Sequence, residues 1–437
     1  MDHTNKTINS TDILFFIFSI FYFLHFKYVK LYSLFVLMQI FQLQLNLQTL
    51  TEFLLILIMK IVAVHCRLFP GGALEVFKDL LQQELKNDPK AEIEIFTMIA
   101  DENLKTLDIQ IPWTEKIKKV KVVESLPKWL SKFFLFCGKK HIPILSWIFD
   151  YRNLIVFYPE VMEILSRKIK KFWPNRIVIS SFAIAKNIKI PKSCEYTKLY
   201  LHSPMQYIWS HREEYIWKFK WWKKKLFTSI IPRLQKWDKQ FIKYDEVLFN
   251  SNYTAWLAKE IYWMKWKVKY PKIKDCFYLS TPTKEVQNYF VCVGRVVNFV
   301  REVWLIIKAC NETKTNLLII GSWPDEIQLK ALAWDTVIFL WWLPQEESLK
   351  IIKNAKWLIN LTKESFWMWT AEALLLWVPV IWFDEWWSKE LVDEHIGILI
   401  DKKSISILKD AVQTFVNKEW NRRQISDNIR EKLKKYN

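Results

Sequence analysis

A chain of 437 residues is long for one core, so two domains are expected. The formal charge of +19 is carried by Lys-rich stretches at 167–172, 218–227 and 265–274, with no zinc-finger spacing or RNA-recognition signature, so nucleic acid is not an expected partner. Six scattered cysteines without a CxxC pair exclude a disulfide framework and a clustered metal site, and point to reduced, mostly buried thiols in a cytoplasmic chain.

Two residue types depart from ordinary usage in opposite directions. The chain holds 25 Trp and 6 Gly, where an average glycine usage of about 7% would give about 30. The tryptophan excess nearly matches the glycine deficit. Twelve of the Trp fall between Trp304 and Trp387, a window whose one glycine is Gly321. Trp323 in "IIGSWPDE" stands where a turn residue belongs, and Trp377 and Trp382 bracket Val378–Ile381 as loop glycines would. The expectation is that many of these positions are glycine, encoded by a UGA codon that standard reading turns into Trp. A different account keeps them as real Trp of a carbohydrate-binding or membrane-interface module. Trp209 and Trp342 are expected to be genuine.

Residues 1–58 contain no Gly, Trp or Pro and carry the apolar runs "ILFFIFSIFYFL" and "LYSLFVLMQIF". The first run, at 12 residues, is short of the roughly 20 that span a bilayer. This segment is either a weak membrane anchor or a misplaced start, with translation beginning at Met59. From Lys60 the pattern becomes strand, loop, helix: "KIVAVHC", "RLFPGG", then Ala73 to Lys86 with Leu74, Phe77, Leu80 and Leu81 on one face. "AEIEIFTMIA", "RIVISSFA", "CEYTKLYLHS" and "YDEVLFNSNYTAWLAKEIY" continue the rhythm, and the basic, aromatic stretches between 113 and 173 are expected to be inserted helices. The alternation implies a parallel sheet covered by helices. The periodicity lapses at "YPKIKDCFYLSTPTKEVQNYF", the expected hinge between domains 59–282 and 283–437. Five more strands alternate with four helices from "YFVCVG" to "VPVIWF", a second doubly wound sheet. Ligands bind outside the carboxyl ends of such strands, so the expected architecture is α/β, two Rossmann-like domains facing a central cleft.

Chemistry collects at the strand ends of the second domain. Arg295 follows "FVCVG" and Arg301 stands six positions on; two guanidiniums there suit a diphosphate. After "WLINLTK" come Glu364 and Glu372 in an E-x7-E spacing. With Gly at Trp367 and Trp369, the segment between them is a loop that approaches a ligand closely and opens a helix. Carboxylates in that place accept hydrogen bonds from sugar and ribose hydroxyls. A second such loop, "FDEWWSKE", ends on Glu390. No DxD triplet occurs, so a diphosphate would be held by Arg and helix dipoles, with no metal and no cofactor expected.

Residues 59 to about 425 resemble the retaining glycosyltransferases of family 4, whose fold is GT-B. The blocks that carry the resemblance are "FPGGALEVF", "YLHSPMQYIW", "VLFNSNYTA", "VGRVVNFVREV", "IIGSWPDE", "FLWWLP", "LTKESFWMWTAEALLLWVPVIWFD" and "WWSKELV", in the family's order. The resemblance implies metal-independent transfer of a sugar from a nucleoside diphosphate sugar, with retention. Arg295 would bind the donor pyrophosphate, helped by Arg301, which stands one place later than usual because Val300 occupies the customary position. Glu364 would contact the transferred sugar, Glu372 the ribose and His202 the donor sugar, while the Gly71–Gly72 loop would close over the site. "YLHSPMQYIW" is similar to the mannosyltransferase-like branch, which suggests GDP-mannose. The acceptor would be a saccharide or a lipid-linked saccharide, with peripheral association at the inner face of the membrane. Two other readings are a degenerate GT-B scaffold that binds glycans or membrane interfaces, and an enzyme that hydrolyses or epimerises nucleotide sugars.

Overall fold

The computed structural model describes residues 58–101, 104–140, 155–218, 221–241, 243–265, 267–294, 302–321, 326–341, 343–361, 368–384 and 388–435. The first run of elements is β1 (Lys60–Leu68), α1 (Gly72–Asn87), β2 (Glu92–Ala100), β3 (Thr106–Gln110), β4 (Ile117–Glu124), α2 (Lys128–Lys140), α3 (Tyr158–Phe172), β5 (Arg176–Ser181), β6 (Tyr196–Leu201), α4 (Arg212–Lys218), α5 (Trp221–Asp238), β7 (Glu246–Phe249), α6 (Asn252–Tyr262) and β8 (Lys267–Val268). Its strands form one sheet in the order β3-β4-β2-β1-β5-β6-β7-β8, parallel except for β3 against β4.

Both faces of this sheet are covered, so β1 reads as a continuous apolar run. Val62 and Val64 pack with Val161, Leu165 and Ile169 of α3, whereas Ile61 and Ala63 pack with Phe77, Leu80 and Leu81 of α1. Burying Phe77, which is 0% exposed, stabilises the α1 contact by about 1.5–3 kcal/mol. A polar pillar stands among these apolar contacts. Asp238 accepts from Lys186 Nζ at 2.7 Å, Trp209 Nε1 at 2.8 Å and Tyr262 OH at 2.5 Å. Trp209 therefore uses its indole N–H.

The second run is α7 (Asp275–Leu279), β9 (Gln287–Val293), α8 (Val303–Glu312), β10 (Leu317–Ile320), α9 (Glu326–Lys330), β11 (Val337–Leu340), α10 (Gln345–Asn354), β12 (Ala355–Asn360), α11 (Met368–Leu375), β13 (Val380–Phe383), α12 (Ser388–Leu391), β14 (Gly397–Ile400), α13 (Ile405–Asn417) and α14 (Arg422–Lys434). Its six strands are parallel, in the order β11-β10-β9-β12-β13-β14. The α/β class and the two parallel-sheet domains agree with the sequence pattern. Residues Met59–Asn437 form one unit.

Two elements differ from expectation, and a third feature concerns the expected hinge. Residues 117–124 form a strand, not an inserted helix: in "IKKVKVVE" Val120 and Val122 are buried while Lys119 and Lys121 are exposed, a two-residue period masked by the basic residues. The edge strand β14 adds a sixth member to the second sheet. The expected hinge is anchored, since Tyr270, Ile273 and Phe277 are buried in the second core. Of the cysteines, Cys66, Cys137, Cys292 and Cys310 are buried, Cys276 is exposed, and all six are free thiols. Among the described residues no helix is long and apolar enough to cross a membrane. The two expectations for residues 1–58 fall, but for Ile58, outside the described residues.

Candidate active site

Strand order reverses at β1/β5 in the first sheet and at β9/β12 in the second, and such switch points open crevices at the carboxyl ends of the strands. On the other side of β9, the backbones that follow β9 and β10 approach closely. Gly294 ends β9 and Gly321 ends β10, with φ of 129° and 139°, and a Cβ at Gly321 would lie 2.0 Å from the Gly294 carbonyl oxygen. Only glycine permits this approach and this backbone.

The loop after β1 turns at Gly71, φ 153°, and enters α1 at Gly72. A Cβ at Gly72 would lie 2.9 Å from Met368 Sδ, so the glycine loop of the first domain abuts the first residue of α11 in the second. Glu372 lies one turn further along α11 and is 6% exposed. Burial pushes its carboxyl up to about 7, against the pull of Lys274. Lys274 joins the same corner: its Nζ donates to Gln345 Oε1 of α10 at 2.6 Å and lies 3.8 Å from Glu75 of α1. Trp369 is half-buried and packs on the core of the second sheet.

His202 stands one residue beyond β6. Its amide donates to the Ser181 carbonyl at 2.8 Å, and its carbonyl accepts from the Thr254 hydroxyl at 3.1 Å. Nε2 lies 2.8 Å from Ser180 Oγ, which in turn is 3.0 Å from His65 Nδ1. Burial pushes both imidazoles down to about 3, and for His65 the neighbouring His202 adds to that effect. Both rings are neutral at physiological pH.

Glu390 joins the domains in another way. Its Oε2 accepts from the Asn252 amide and Asn252 Nδ2, each at 3.0 Å, and from Tyr270 OH at 2.9 Å, while Oε1 accepts from the Tyr253 amide at 2.8 Å. A carboxylate from α12 thus caps the amino terminus of α6.

The structure brings Gly72 against Met368 at the start of the helix that carries Glu372, leaves Gly71 without such a neighbour, and places His202 just beyond β6. Arg295, Arg301, Glu364 and Trp367 lie outside the described residues. Sequence reasoning missed His65, Ser180 and Lys274. One imidazole in the otherwise apolar "IVAVHC" and the paired serines that end "IVISS" were the available signals. Among the described residues no group of three or more His, Cys, Asp or Glu is placed to hold a metal ion.

The sequence of the second domain matches a known family model, glycosyl transferases group 1, over residues 280–432. Residues 280–432 are therefore similar to the glycosyl transferases group 1 family. No curated protein sequence matches the chain. Solved structures with the same architecture include WaaG, a glycosyltransferase involved in lipopolysaccharide biosynthesis, at 12% identity over 86% of this chain and 95% of that one, TM-score 0.55. The apo lipopolysaccharide outer core galactosyltransferase WaaB matches at 17% identity over 85% and 95%, TM-score 0.54. A TarM mutant from S. aureus, in complex with fondaparinux, alpha-GlcNAc-glycerol and UDP, matches at 11% identity over 87% and 97%, TM-score 0.54. At these identities the likeness shows the fold. The group 1 domain therefore supplies the second half of a GT-B architecture, with α11 and Glu372 inside its matched residues.

Proposed function

We propose that the chain is a retaining glycosyltransferase that moves a sugar from a nucleoside diphosphate sugar to a saccharide or lipid-linked acceptor, without a metal ion. The observation that carries this reading is the contact of Gly72 with Met368 at the start of α11, which lies within the residues that match the group 1 family. In this account Arg295 and Arg301 hold the donor diphosphate together with the amino terminus of α11. Glu364 accepts from hydroxyls of the transferred sugar and Glu372 from the ribose. His202 faces the donor sugar from the first domain. The bond from the anomeric carbon to the diphosphate breaks as the acceptor oxygen bonds to the same face, and the acceptor proton leaves with the phosphate. Fixed positive charge and backbone N–H groups stabilise the departing phosphate. Closure of the glycine loop excludes water. GDP-mannose is the preferred donor, and a lipid-linked acceptor would place the chain at the inner face of the membrane.

The same account takes many Trp as glycine encoded by UGA. Its support is conformational. Of six non-glycine residues with positive φ among those described, four are Trp: Trp113 at 65°, Trp173 at 57°, Trp263 at 59° and Trp377 at 63°. Trp173 and Trp263 are left-handed C-caps of α3 and α6, the place glycine most often fills. Their side chains are 65% and 86% exposed, so no burial of the indole offsets the backbone strain. Trp209, with its bond to Asp238, shows neither feature. Trp357 and Trp382, the latter among the positions expected to be glycine, are fully buried, so this conformational support does not extend to them.

The test is an assay of nucleoside diphosphate release by the full-length protein purified from its native cells, with UDP- and GDP-sugars in the presence of EDTA, with and without acceptor. Release that needs the acceptor and no divalent ion is expected. Release without acceptor points to hydrolysis, and the absence of release from every donor sinks the enzymatic reading.

A further inference from the structure

We propose that Ser180 and His65 are positioning residues for His202: the Ser180 hydroxyl donates to one imidazole, accepts from the other, and so couples the tautomers of the two rings. The inference rests on the reading of His202 as a contact of the donor sugar.

The register of the sheet supplies the geometry. His65 of β1 and Ser180 of β5 are direct partners across the switch point of the first sheet, and Ser180 is in turn paired with Tyr200, two residues before His202. Three neighbouring strands thus bring His65 Nδ1, Ser180 Oγ and His202 Nε2 into one chain, with links of 3.0 and 2.8 Å. The rings are held in place by their neighbours. His65 stacks on Phe77, centroids 4.8 Å apart and planes at 18°, and meets Phe182 edge-on at 5.4 Å. His202 lies against the Tyr200 ring at 5.0 Å. His65, Ser180 and His202 are 1%, 0% and 8% exposed, so water does not compete freely for the hydroxyl.

A serine hydroxyl has one proton to donate, and a neutral imidazole has one donor and one acceptor nitrogen. If Ser180 donates to His202 Nε2, His65 donates from Nδ1 and both rings carry their proton on Nδ1. If Ser180 donates to His65 Nδ1, His202 donates from Nε2 and both rings carry their proton on Nε2. Nδ1 of His202 is a donor in the first arrangement and an acceptor in the second. Burial keeps both rings neutral, so the choice of tautomer is the variable that remains. The hydroxyl therefore decides what His202 can offer a sugar hydroxyl, while His65 biases the hydroxyl from inside the fold.

Ring nitrogen-15 NMR on the full-length chain, labelled at histidine, reads both tautomers directly. The proposal expects His65 and His202 in the same tautomer, and opposite tautomers would overturn it, because the hydroxyl would then either accept from both rings or face two acceptor nitrogens with one proton. Kinetics supply the second readout. Ser180→Ala is expected to lower kcat about 10- to 100-fold with the KM for donor little changed, and to lower the thermal midpoint because two buried imidazole nitrogens lose this partner; Ser180→Thr is expected to restore most of both losses. A Ser180→Ala chain with wild-type kcat would also overturn the proposal. A wild-type chain that transfers no sugar yet shows matched tautomers would strike the function of His202 and leave the hydroxyl bridge standing, so the two failures are separable.

Discussion

Glu372 carries its carboxyl in a place where ionisation is costly. Its ordinary value of 4.5 is pushed up to about 7 in the fold, so folding favours the protonated form. Its contribution to stability is complete below pH 4.5 and is lost as pH rises through about 7, a change on the order of 3 kcal/mol. His65 and His202 act with the opposite sign: both are favoured neutral, so acidification below their ordinary 6.5 removes stability. Glu372→Gln isolates the first effect. Urea midpoints measured from pH 4.5 to 7.5 should fall more steeply with pH in the wild-type chain than in the variant; equal slopes would show that Glu372 ionises freely. The E-x7-E spacing pointed to this residue, but its shifted ionisation was not legible, because it comes from the burial of Glu372 in the folded chain.

At the scale of elements, the contact between domains depends on short segments whose partners are remote in sequence. Glu390 belongs to the four-residue α12, yet it caps α6, more than 130 positions away. Removing it leaves two amides of α6 and the Tyr270 hydroxyl without this acceptor, which should cost about 1–3 kcal/mol. Glu390→Ala is therefore expected to lower the unfolding midpoint and to raise hydrogen exchange at the Asn252 and Tyr253 amides. Exchange unchanged at both would remove Glu390 from the contact. Sequence reading assigned Glu390 to the donor loop from its place after "FDEWW", and nothing local reveals a carboxylate aimed at a helix end. Helix α1, by contrast, was fully legible, since Leu74, Phe77, Leu80 and Leu81 mark the buried face. Strand β4 was hidden because its outward lysines broke the apolar signal.

Across the whole molecule, the order of strands and helices was readable because each sheet is covered on both faces and its strands are short apolar runs between turn residues. The domain contacts were not, since they join residues such as Gly72 and Met368 across nearly 300 positions. The proposed reading of Trp as glycine came from composition, and the positive φ at Trp113, Trp173, Trp263 and Trp377 supports it. On the proposed function, the segments between β12 and α11 and between β13 and α12 would carry glycine where the sequence prints Trp. Mass spectrometry of the protein from its native cells, reading the peptides that contain Trp173, Trp209, Trp263 and residues 365–389, tests this most directly. The account predicts glycine at Trp173, Trp263, Trp367, Trp369, Trp377, Trp386 and Trp387, with tryptophan at Trp209. Tryptophan at every one of these positions would contradict it, leaving indoles in the donor loops and strained left-handed caps on α3 and α6.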